Sequence, residues 1–133
     1  MIVHNTDRGS VLGETIEVAD SAIRRVKGLL GRECLEDGQG LLFKQCASLH
    51  TFFMRFPIDV LFVDKSGKVL KVADGVKPFK LVAAPLKAYY AIELPAGAVS
   101  RSKTRTGDRL SFREEPEEAD EEPPRGVEAQ ASA

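Results

Sequence analysis

Residues 50–73 constrain the fold more than any other stretch of the chain. Two β-rich runs, residues 50–56 and 59–64, are separated by Pro57, which lacks a ladder donor and fixes a bend. Asp64-Lys65-Ser66-Gly67 follows, with Asp at its start and Gly at its end, the chemistry of a turn. Residues 68–73 then return as the second arm of a hairpin. A chain built around such a pair is expected to be organised by sheet.

Further strands are predicted over residues 11–18, 89–94 and 109–112, with a short apolar run beginning at residues 40–44. Pro95-Ala96-Gly97 closes one of them and Thr106-Gly107-Asp108 turns into the last. One helix is predicted early. Asp20 or Ser21 caps it, Ile23, Val26, Leu29 and Leu30 form its apolar stripe, and Gly31 stops it. Gly28 inside that helix implies close packing against a strand. The fold class expected is mainly β (α+β): a small β-barrel or sandwich of about six to eight short strands with one early α-helix.

Charge sets the outer boundaries. The 133 residues carry 19 Lys and Arg against 20 Asp and Glu, a net charge of −1. Residues 1–113 hold 18 basic and 12 acidic residues, so +6, whereas residues 114–133 hold Arg125 and 8 acids, so −7. The tail has no aromatic residue, and Val127 is its only large aliphatic. It cannot bury enough apolar surface to offset its ordering entropy and is expected to be disordered. The expected organisation is a weakly patterned N-terminal segment (1–10), a single domain (11–113) and an acidic tail (114–133).

Composition excludes several classes. No stretch approaches the ~18 consecutive apolar residues of a membrane span. The first 20 residues lack the basic start and apolar core of a secretory signal, so a cytoplasmic protein is expected. Cys34 and Cys46 are too few for a disulfide scaffold and are expected to be free thiols.

Several blocks in order resemble one known family. They are Val18-Ala19-Asp20, Gly28-Leu29-Leu30-Gly31-Arg32, Gly40-Leu41-Leu42-Phe43, residues 50–64 (HTFFMRFPIDVLFVD), Glu93-Leu94-Pro95-Ala96-Gly97 and Gly107-Asp108. Together they span about residues 12–112 and resemble domain-of-unknown-function family 192 (DUF192). The resemblance implies a small, predominantly β domain of bacteria and archaea with no agreed biochemical activity. The acidic tail lies outside it.

The richest ionisable constellation is Cys46, His50, Arg55 and Asp59. A sulfur, an imidazole and a carboxylate could ligate zinc. The only other histidine is His4 and no paired CxxC or HExxH exists, so neither metal nor cofactor is expected. Cys46 and His50, if on one strand, would be about 13 Å apart, too far for a nucleophile–base dyad. Asp59 between Ile58 and Val60, and Glu93 between Ile92 and Leu94, are carboxylates in apolar contexts that need partners. No Walker loop or GxGxxG is present. The reading is a small binding module for an unknown small molecule or protein, its site near residues 50–59. Arg32, His50, Met54, Arg55, Asp59 and Glu93 are its candidate contacts. The alternatives are a hydrolase-type enzyme using Asp59, Glu93 and His50, or a nucleic-acid or acidic-partner binder regulated by the tail. A body charge of +6 is modest, which disfavours nucleic acid.

Overall fold

The predicted hairpin forms the spine of the molecule. In the computed structural model, which describes residues 1–19, 35–44, 48–50 (backbone only) and 56–114, β6 (Ile58–Val63) pairs antiparallel with β7 (Val69–Val76). The Asp64 carboxylate organises the turn between them. Its Oδ1 accepts the Ser66 hydroxyl at 2.7 Å and the backbone N–H groups of Ser66 and Lys68 at 2.9 Å each. These bonds, the Ser66 hydroxyl foremost, hold the Asp64 carboxyl below its ordinary pKa. Gly67 sits at φ 96°, a conformation glycine adopts without steric cost.

The remaining strands are β1 (Ile2–Asn5), β2 (Ser10–Gly13), β3 (Thr15–Ala19), β4 (Gln39–Lys44), β5 (Ser48–His50), β8 (Leu81–Ala83), β9 (Tyr90–Pro95) and β10 (Leu110–Arg113). The helix α1 (Ala98–Ser102) precedes β10. Five strands form a central sheet in the order β3-β4-β9-β6-β7. Among the described residues only β3 and β4 run parallel, and the 19 residues between them, 20–38, are long enough for the crossover that parallel strands require. A second sheet has the order β10-β1-β2, and β5 pairs with β8 as a two-stranded ribbon.

The central sheet is covered on both faces, which explains why residues 58–63 lack apolar–polar alternation. On one face, Leu42, Leu61, Val63, Ile92 and Leu94 pack with Val3, Leu12 and Leu110 of the second sheet and Ala98 and Val99 of α1. On the other, Leu41, Phe43, Ile58, Val60, Phe62 and Ala91 pack with Ala19, Leu35 and Val82. Lys71 lies on this second face, its Nζ 5.9 Å from the Phe62 ring centroid, and donates to the Ala83 carbonyl at 2.8 Å, tying the ribbon to β7. Burying side chains such as Phe62 and Ile58 stabilises the fold by about 1.5–3 kcal/mol each.

The mainly β expectation holds, and the architecture is a sandwich, because the sheets do not close into a barrel. Ten strands occur among the described residues, more than the six to eight expected, for identifiable reasons. Residues 11–18 form two strands, not one, because the N–H groups of Glu14 and Thr15 both turn to the Gly38 carbonyl, at 2.9 and 2.8 Å. Gly13 makes this corner possible: a Cβ there would lie 2.5 Å from Ile16 Cδ1. Residues 2–5 form β1, the middle strand of its sheet, and β8 adds another. The helix α1 arises between Pro95-Ala96-Gly97 and Thr106-Gly107-Asp108, where no element was predicted. The predicted helix after residue 20, both cysteines and the tail beyond Glu114 lie outside the described residues.

Candidate functional site

Asp59 lies in β6 with no exposed surface. Its Oδ1 accepts the Gly75 N–H at 2.8 Å, and its Oδ2 accepts those of Gly97 at 3.1 Å and Val99 at 2.9 Å. Val99 lies in the first turn of α1, whose N-cap residue, Gly97, has no side chain to offer. Asp59 therefore supplies from a neighbouring strand the acceptor that a helix N-terminus needs. The same carboxylate fixes Gly75, which stands at φ 63° near the end of β7. Among the described residues, the partners that this buried carboxylate needs are backbone N–H groups.

Glu93 is also buried, in the central strand β9. Its cross-strand neighbours are Leu41 of β4 and Val60 of β6, whereas Asp59 stands opposite Leu94. Residues directly opposite share a face and successive residues alternate. Glu93 thus belongs to the face of Leu41, Val60 and Ala91, and Asp59 to the face covered by α1 and the second sheet. The structure does not bring these two carboxylates together, so they cannot flank one substrate as an acid–base pair.

The other candidates are placed only in part. His50 ends β5, its backbone opposite Leu81 of β8. Arg32, Met54 and Arg55 lie outside the described residues.

A polar cluster that no sequence pattern announced ties residues 5–8 to residues 104–108. Asn5, fully buried, donates through Nδ2 to Thr104 Oγ1 and Asp108 Oδ2, at 3.0 Å each. Its Oδ1 accepts the N–H groups of Asp7 and Arg8 at 3.1 Å. Arg8 grips both Asp108 oxygens, Nε at 3.0 Å and Nη2 at 3.2 Å, and the Arg105 N–H adds a third donor at 2.9 Å. The Arg8 hydrogen bond, helped by Asn5 and Arg105, lowers the Asp108 pKa to about 2. These hydrogen bonds hold β1 and the turn after it to the α1–β10 loop, a structural tie between distant parts of the sequence. Asn5 alone in sequence gives no such signal, and Asp108 reads only as a turn residue.

The chain matches the family model DUF192, described as an uncharacterised group, over residues 3–112. A UPF0127 protein of Pyrococcus horikoshii is 35% identical over 115 residues, covering 84% of this chain and 98% of its own. Another, from Thermococcus sibiricus, is 30% identical over 123 residues, covering 88% of this chain and 77% of its own. A solved structure from Novosphingobium aromaticivorans, described as a protein of unknown function, superposes with TM-score 0.71 at 24% identity, covering 84% of this chain and 82% of its own. One from Sinorhizobium meliloti, provisionally described as a transcription regulator, gives TM-score 0.72 at 24% identity, covering 83% and 89%. At that identity these two share the fold. Taken with the sandwich and the motif blocks running through it, the match shows that the chain belongs to the DUF192 family of UPF0127 proteins.

Proposed function

We propose that this protein is a small binding module whose ligand lies on the Glu93 face of the central sheet, contacted by Arg32, His50, Met54, Arg55 and Glu93. One observation carries the reading: Ala19, Leu35 and Phe56, which border the motif-rich stretches, pack on that face. Ala19 and Leu35, on either side of the stretch holding Arg32, both pack in its core. Phe56, immediately after Arg55, packs against the same core, as does Val82 of the strand paired with β5, which ends at His50. Asp59 is spent on the opposite face and leaves the set of contacts.

The residue types suggest the ligand class. Two guanidinium groups recognise carboxylate or phosphate oxygens in paired hydrogen bonds, and Glu93 accepts a donor. The ligand is thus a small molecule with an anionic group and at least one N–H or O–H group. A cytoplasmic location, where Cys34 and Cys46 would stay reduced, belongs to this reading. No helix among the described residues is long and apolar enough to cross a membrane.

Thermal unfolding of the full chain against inorganic phosphate and a panel of small carboxylates and phosphate esters tests the proposal. A ligand at about 100 times its Kd stabilises the native state by about 2.7 kcal/mol, a shift of several degrees. Arg55→Ala and Glu93→Gln should each reduce that shift. A shift that survives unchanged in both variants, or a panel that produces none at millimolar concentration, overturns the reading.

A further inference from the structure

Four large hydrophobic side chains are exposed among the described residues, and three of them fall within residues 79–86: Phe79 at 70%, Leu81 at 67% and Leu86 at 98%. The surrounding residues 77–87 contain Lys77, Lys80 and Lys87 and no acid. All three lysines are exposed. Isolated exposed apolar residues are ordinary, whereas three within eight residues of one segment, interleaved with lysines, suit a surface that meets a partner.

The segment is also held so as to present these groups. Val82 points into the core while its neighbours Leu81 and Ala83 stay exposed. The Lys71 ammonium anchors the Ala83 carbonyl from beneath at 2.8 Å. Phe79 stands at φ 64°, a left-handed conformation that is uncommon for a bulky residue and costs energy. Leu86 rims an open groove of about 450 Å³ with Lys87, Tyr89, Lys65 and one acid, Asp64, whose carboxylate is engaged by the turn around Ser66. The Lys65 ammonium lies 5.1 Å from the Tyr89 ring centroid.

We propose that this surface docks the protein on an anionic lipid bilayer, with Phe79, Leu81 and Leu86 entering the interface and the lysines meeting the headgroups. Basic groups beside Phe and Leu are what interfacial binding uses. The other occupants fit less well. A second copy related by a two-fold axis would set lysine against lysine. The chain's own tail has the charge but no aromatic residue, and Val127 is its only large aliphatic, so it leaves the apolar side chains uncovered. A folded acidic protein would need matching cavities for separate protruding side chains, whereas acyl chains conform to any shape.

Cosedimentation of the full chain with vesicles tests this directly. Binding is expected to phosphatidylglycerol-containing vesicles, with none to pure phosphatidylcholine. It should be largely lost at about 1 M salt, where screening shortens to about 3 Å. Lys87→Ala should weaken it about fivefold, and Phe79→Ser or Leu86→Ser by at least as much, with far-UV circular dichroism unchanged. The chain has no Trp, so Phe79→Trp and Leu86→Trp each place a single reporter at the contact, and its emission should shift to the blue on adding anionic vesicles. Failure to pellet with anionic vesicles at low salt, equal binding to phosphatidylcholine, indifference to these substitutions, or an unshifted emission overturns the proposal.

Discussion

Replacing Asp59 tests whether that carboxylate is a tie of the fold or a reacting group. In Asp59→Ala three backbone donors lose their acceptor. Gly75 is exposed, so water replaces most of that bond. Val99 is buried and Gly97 half-buried, so their N–H groups at the start of α1 are left wanting. Hydrogen bonds to a charged group contribute about 1.5–3 kcal/mol each, which puts the loss at about 3–5 kcal/mol. Asp59→Asn keeps one oxygen. Aimed at Gly97 and Val99, it leaves the amide NH₂ facing the Gly75 N–H, where solvent relieves the conflict, so the loss is about 1–3 kcal/mol. Equilibrium urea unfolding followed by far-UV circular dichroism measures both, with the midpoint falling and the slope unchanged. The reasoning is refuted if Asp59→Asn matches the parent within about 0.5 kcal/mol, or if Asp59→Ala is no less stable than Asp59→Asn.

Asp108, with its pKa lowered from 3.8 to about 2, adds stability that is fully present above pH 3.8 and is lost as the pH falls towards 2. With the half-exposed Arg8 partly screened, the loss is about 1–2 kcal/mol. Urea midpoints from pH 5 to pH 2 should therefore fall more for the parent than for Asp108→Asn, and parallel curves would contradict it. Gly40→Ala would place a Cβ 2.7 Å from the Glu93 carbonyl oxygen, 2.7 Å from Ile16 Cδ1 and 2.9 Å from Leu94 Cδ2. Backbone must yield, at about 1–3 kcal/mol, and an unchanged melting temperature would show that the sheet is less tightly packed there. Asp59→Asn and Glu93→Gln, on opposite faces, should add within about 0.5 kcal/mol in a double-mutant cycle, and a coupling above about 1 kcal/mol would mean that the groups sense each other.

Features written in local chemistry were legible in the sequence. Pro57, the Asp64-Lys65-Ser66-Gly67 turn and the apolar run between them mark β6 and its hairpin in local sequence. Features held by distant partners were not. The helix α1 is five residues long and begins at a glycine without a side-chain cap, and its acceptor comes from Asp59, 40 residues before Val99. The break between β2 and β3 is made by the Gly38 carbonyl, which nothing in residues 11–18 foretells.

The candidate site shows the same division more sharply. Asp59 and Glu93 have nearly the same local sequence, an Ile before and a Val or Leu after, and burial penalises both alike. Their fates are set by the pairing of β6 with β9, which places Asp59 across from Leu94 and Glu93 across from Val60. Because strand side chains alternate with a period of two, an offset of one residue sends the groups to opposite sides of the sheet. One side offers three backbone donors, and there the carboxylate becomes part of the scaffold. The other is the face on which Ala19, Leu35 and Phe56 pack, and there Glu93 is a proposed contact. Near-identical sequence context therefore leaves the role of each carboxylate open, and strand register decides it.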